Sequence, residues 1–139
     1  MATTQLIGKI FLTLSAVIYG FIPPFVDFNK THATNPLWTG PARFHLVWQV
    51  IITFLIAVMS IYLLWFSNIE QALAFNLSFT LGLLILGGFF LNIFSRHLYQ
   101  GTLRDPNGVP LIMGKIEANV LGFTIAIILL LLGYFIYLS

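Results

Sequence analysis

Hydrophobic residues in this chain come in long unbroken runs and do not alternate with polar ones. Four such runs lie at about 6–25, 44–66, 72–94 and 111–138, and residues 123–132 are almost pure Ile, Leu and Ala. A bilayer core about 30 Å thick is crossed by about 20 apolar residues in helical form, so each run is long enough to span it. Helix is the expected conformation, because an open strand would leave its backbone groups unpaired in hydrocarbon. A membrane barrel would need alternation, which these runs lack. The expected fold class is therefore all-α, an integral membrane four-helix bundle in which residues 1–139 form a single transmembrane domain.

The connections between the runs are unequal. Ser67-Asn68-Ile69-Glu70-Gln71 makes a tight helical hairpin, whereas 26–43 and 95–110 are longer and rich in Pro, Gly, Asn and Asp. Four spans put both long loops on one side of the membrane, with both termini and the short turn on the other. Lys30, Arg43, Arg96, Arg104 and Lys115 fall on the long-loop side and only Lys9 on the opposite half. The positive-inside rule then predicts cytoplasmic long loops, with both termini on the opposite side. The first run carries a single Lys9, is longer than a signal-peptide core and has no clean small-x-small cleavage site, so it is expected to remain as a span.

Helices in lipid gain little from apolar contact with one another, and small or polar residues carry their packing. Gly114, Ala118, Gly122 and Ala126 recur every four residues on the fourth run. His45, Gln49 and Thr53 share a face of the second, and Asn76, Thr80 and Gly87 a face of the third, with Gly88 and Asn92 beside it. These stripes are expected to turn inward.

Composition agrees with lipid as the main solvent. Apolar residues make up 59% of the chain and charged residues 7%, against roughly 25% charged in a soluble domain. Six Lys and Arg residues give no nucleic-acid footprint. Without cysteine there is neither a disulfide framework nor thiolate chemistry. The expected partner is membrane lipid, with a homo-oligomer or a larger membrane complex as further partners.

Polar chemistry is gathered on the long-loop side. All three histidines (His32, His45 and His97) lie there, as do Asp27, Asp105 and Glu117, while Glu70 stands alone on the short turn. Glu117 is expected in the opening turns of the fourth span, where a charge is costly and functional use is the default. The competing reading makes it an interfacial partner of Arg43, Arg96 or Lys115, favoured by the helix dipole. His45 and Gln49 are expected one turn inside the boundary, where an imidazole can titrate, bind metal or bond a carbonyl. General acid–base work needs such groups together in a dry pocket, so Asp27, His32, His45 and Glu117 form the candidate catalytic set. Asn29, Arg43, Gln49, Asn92, Arg96, His97 and Asn119 form the candidate binding set, with Arg43 as a clamp for an anionic headgroup. Imidazole and carboxylate suit zinc or iron, but no His-Glu-x-x-His spacing appears, and the sequence assigns no metal or cofactor. No Gly-x-Ser-x-Gly elbow is present, and Asp105-Pro106-Asn107-Gly108 reads as a turn.

The most distinctive stretch is Asp27-Phe28-Asn29-Lys30-Thr31-His32, followed by Asn35-Pro36-Leu37-Trp38 and Ala42-Arg43-Phe44-His45. It resembles an uncharacterised family of small four-span membrane proteins with the pattern Asp-x-Asn-x-Thr-His, Asn-Pro-x-Trp and Ala-Arg-Phe-His. Pro41 stands where that pattern carries a further His. The resemblance covers about 25 residues and implies a fold and a functional hot spot, with no activity attached. Two functional readings follow. In the first, the polar cluster binds or acts on a lipid or isoprenoid. In the second, the chain is a non-catalytic subunit or assembly factor of a membrane complex.

Overall fold

Each apolar run satisfies its backbone within itself, as hydrocarbon requires. The computed structural model describes residues 3–139, and four of its helices are long and apolar enough to cross a membrane: Thr3–Asp27, Gly40–Trp65, Gln71–Tyr99 and Ala118–Leu138. Together they form an all-helical membrane bundle. The first span consists of α1 (Thr3–Ala16), a π-helical turn (Val17–Phe21) and α2 (Ile22–Asp27). The second is α3 (Gly40–Trp65), the third is α4 (Gln71–Ser95) continued by a 3₁₀ turn (Arg96–Tyr99), and the fourth is α5 (Ala118–Leu138).

Local chemistry sets these boundaries. The π turn immediately precedes Pro23 and Pro24, which have no N–H to offer the carbonyls of Tyr19 and Gly20. The helix accommodates the loss with a wider turn. Thr39 caps α3 by accepting from the Ala42 amide at 3.4 Å, with Pro41 in the first turn, where a missing donor costs nothing.

The fourth span differs from its sequence reading. It begins at Ala118, not near residue 111, because Met113 and Gly114 both have positive φ (51° and 71°) and reverse the chain. Ile112 and Ile116 pair across that reversal at 2.8 and 3.1 Å. The hydropathy of Leu111, Ile112, Met113 and Ile116 had lengthened the run, although Gly114, Lys115 and Glu117 interrupt it.

Inside the bundle the packing inverts the rule of soluble proteins. Large Leu, Ile and Phe side chains cover the outside, while Gly8, Ser15, Ala16, Gly20, Thr53, Ala57, Ser60, Ala74, Ser78, Gly82, Ala126 and Gly133 are buried. Close approach explains the glycines. A Cβ on Gly8 would lie 2.8 Å from the Gly133 carbonyl oxygen, and one on Gly20 would lie 2.2 Å from the Ala57 Cβ. Hydroxyls join the spans: Tyr19 Oη and Ser60 Oγ are 3.3 Å apart, Ser78 Oγ donates to the Ser60 carbonyl at 3.0 Å, and Ser15 Oγ donates to the Ala126 carbonyl at 2.8 Å. Stacked rings, Phe75 on Tyr137 at 3.7 Å and Phe79 on Tyr134 at 3.9 Å, zip α4 to α5.

The inward stripes need correction. Of the second-span set only Thr53 is buried; His45 and Gln49 are exposed. On α4 the buried face is Ala74, Phe75, Ser78, Gly82 and Leu86, while Asn76 and Thr80 lie on the exposed side. Gly114 is outside α5 altogether, Gly122 has open space around its Cα, and Ala126 alone of that stripe packs in the core. A helix apolar around its whole circumference gives periodicity little to distinguish the inner face from the outer.

The two ends of the bundle are chemically distinct. At one end Lys9 lies over the Trp65 ring (5.5 Å), and Trp65 Nε1 donates to Thr13 Oγ1 at 2.9 Å, so the short turn rests against the opening turns of α1. At the other end the two long loops meet.

Candidate functional site

The first long loop is built on Asn29. Its Oδ1 accepts from the Thr31 amide (2.8 Å) and hydroxyl (2.7 Å), and its Nδ2 donates to the Val26 carbonyl at 2.9 Å. An Asn side chain mimicking backbone in this way nucleates a turn. The turn delivers His32 to Asp27, which closes α2: His32 Nδ1 is 3.5 Å from Asp27 Oδ1 and 2.8 Å from Thr31 Oγ1. The His32 ring then meets Trp38 edge to face, centroids 5.6 Å apart.

Asn35 is fully buried and ties this loop to the second. Its Oδ1 accepts from the Leu37 amide (3.0 Å) and from Asn107 Nδ2 (3.1 Å), while its Nδ2 donates to the Thr31 carbonyl (3.1 Å) and Asn107 Oδ1 (3.3 Å), with Asp105 Oδ2 at 3.5 Å. Trp38 Nε1 donates to the same Asp105 carboxylate. Aspartate, tryptophan and two amides thereby staple loops about 70 residues apart in sequence. The candidate catalytic and binding sets include none of Asn35, Trp38, Asp105 and Asn107, although Asp105 belongs to the polar cluster read from sequence and Asn35 and Trp38 to the distinctive stretch. The signals were there, in the Asn-Pro-x-Trp stretch and the Asp-Pro-Asn-Gly turn.

A second constellation opens beside the staple. Arg104 Nε is 3.6 Å from Glu117 Oε1. Their side chains are 51% and 24% exposed, so the pair sits at a surface. An open cleft of about 520 Å³ is lined by Arg96, Gly101, Thr102, Leu103, Arg104 and Glu117. Arg96 caps the C-terminus of α4 and opens the 3₁₀ turn that completes the third span, and Glu117 precedes α5, so the cleft lies between the last turns of the third span and the start of the fourth. Glu117 thus lies at the mouth of the fourth span and not within it, and its partner is Arg104, not the Arg43, Arg96 or Lys115 expected from sequence. Its side chain makes no cap on α5; Asn119 Oδ1 instead accepts from the Val120 amide at 2.8 Å.

Three of the remaining candidates, His45, His97 and Asn92, are satisfied locally. His45 bonds the Pro41 carbonyl through Nδ1 at 2.8 Å and lies between the Phe44 and Trp48 rings. His97 bonds the Phe94 carbonyl at 3.0 Å. Asn92 receives the Tyr99 hydroxyl on its Oδ1. Arg43 forms no ion pair among the described residues, and Gln49 is exposed. Of the proposed catalytic four, the structure pairs Asp27 with His32; no contact joins His45 or Glu117 to that pair. The crevice beside Asp27, lined by Phe28, Ala33, Leu46, Val47 and Val50, has no room for a water molecule. Among the described residues no group of three or more His, Asp or Glu side chains is placed to hold a metal ion. Comparison of the chain with protein-family models, curated proteins and solved structures finds no match.

Proposed function

We propose that this membrane protein binds a phosphate-bearing amphiphile at its long-loop end, in the cleft of Arg96, Arg104 and Glu117. Phospholipids and isoprenoid phosphates both belong to that class. The observation that carries the reading is the cleft itself: about 520 Å³ of open space lined by two arginines, between the last turns of the third span and the start of the fourth. Guanidinium groups recognise phosphate with directed, charge-assisted hydrogen bonds. Glu117 neutralises one of the two, leaving a single net positive charge suited to a singly charged phosphate ester. The stapled loops hold these groups in place, because Asp105 of the staple is the neighbour of Arg104. The test is native mass spectrometry of protein released from mild detergent. Wild type is expected to retain a phosphate-bearing lipid whose mass identifies its class, and Arg96→Gln/Arg104→Gln to lose it. Equal retention by both proteins removes the proposal.

The excess of basic residues at the long-loop end supports a cytoplasmic position for that end. The subunit reading draws on a separate observation. Gly87, Gly88 and Gly122 have open space around them, and Thr80 and Asn92 are exposed on α4, a surface on which another membrane helix could approach closely.

A further inference from the structure

We infer that the Ile112–Ile116 hairpin is a wedge set into the headgroup layer of the bilayer, with the Met113 side chain at its tip. This goes beyond headgroup binding in the arginine cleft and does not depend on it.

Geometry sets the depth. The 21 residues of α5 rise about 32 Å at about 1.5 Å each, which matches a hydrocarbon core of about 30 Å. Ala118 therefore lies at the hydrocarbon boundary, and the hairpin, separated from it only by Glu117, lies at headgroup depth.

The composition of the hairpin fits no other purpose in the fold. Met113 is 90% exposed and touches little protein, while Ile112 and Ile116 on either side of it are partly exposed, at 37% and 43%. Lys115, also exposed, supplies a cation where lipid phosphates lie. The turn does not want a methionine: both central residues, Met113 and Gly114, have positive φ, and Asn or Gly would fill the first of them with less steric conflict. A residue that breaks a local rule this openly is held there by something outside the turn. An apolar tip beside a basic residue at headgroup depth has lipid as its complementary surface.

The absence of native cysteine makes the test direct. Met113→Cys, labelled with an environment-sensitive fluorophore, is placed in nanodiscs containing lipid brominated near the headgroup end of its acyl chains. Thr34→Cys in the first loop serves as the aqueous control. The Met113 label is expected to be quenched several-fold more by brominated lipid than the control, and to be protected from aqueous iodide. Iodide access equal to that of the control overturns the proposal. So does protection that appears only in discs holding two copies, because a second chain would then cover the tip. Should Met113→Cys fail to fold, a label at Ile112→Cys reads the same depth with the turn residues intact.

Discussion

Asn35 and Asn107 exchange side-chain amide hydrogen bonds, 3.3 Å in one direction and 3.1 Å in the other, across loops that enter and leave different spans. The pair is buried on the Asn35 side and shares the Asp105 carboxylate with Trp38. Unlike the buried hydroxyls of Ser15, Ser60 and Ser78, it lies in the loops that join the spans and not within a span.

Asn35→Ala removes every side-chain bond of that residue and strands the Leu37 amide and the Asn107 amide. Leu37 and Asn107 are exposed, so water can take up the freed groups and the cost is that of the lost bonds, about 0.5–1.5 kcal/mol each. The loss is expected to be concentrated in the loops. Hydrogen exchange in detergent should show faster exchange at residues 105–108, with α3 to α5 protected as in wild type. Uniform loss of protection across the spans would show that the staple holds the whole bundle and not only its cap.

Gly20→Ala would place a methyl group 2.2 Å from the Ala57 Cβ. Overpacking of this kind costs about 1–3 kcal/mol, and thermal unfolding in detergent should report it. Ala57→Gly in the same chain should restore part of the loss by opening the space from the other side. Gly122→Ala, which meets nothing within 4 Å, should leave the unfolding temperature near that of wild type.

Glu117→Gln frees Arg104 from its carboxylate partner. If the cleft holds a phosphate ester, this variant should retain it more tightly than wild type, with a steeper loss of retention as salt is raised. Weaker retention would mean that the carboxylate itself helps to hold the ligand.

An orientation with cytoplasmic long loops has its own measurement. Thr34→Cys should resist an impermeant maleimide in intact cells and react after permeabilisation, while Asn68→Cys in the short turn should react in both. The reverse pattern would invert the topology.

The number of spans was legible because hydrocarbon leaves a chain little choice, an apolar run near 20 residues being helical. The second span, however, starts at Gly40 and not near 44, and the third runs to Tyr99 and not to about 94, because polar end residues carry no hydropathy signal. The start of the fourth was misplaced because Leu111, Ile112 and Met113 read as membrane residues whether they lie in a helix or in a hairpin. Inner and outer faces were misassigned for His45, Gln49, Asn76 and Thr80, because in lipid the buried positions are marked by small size and not by hydropathy. Gly8, Ser15 and Gly133 carried that mark and define the crossing of α1 with α5. The concentration of polar groups at one end was legible, and Asp27–His32 came from it. The Asn35–Asn107 exchange was not, since nothing local to either residue names a partner about 70 positions away.

The wide turn at Val17–Phe21 has a geometric consequence for all of this. A π-helical turn carries one surplus residue, and each residue of a helix advances the azimuth by about 100°. Deleting one residue from that turn would leave Gly8, Leu12 and Ser15 seated as they are and swing α2 by about that angle. Asp27 would leave His32 and the rest of the cap without touching a single contact in the lower half of the bundle. The first span is thus two rods joined out of phase, and its upper rod is aimed by one inserted peptide.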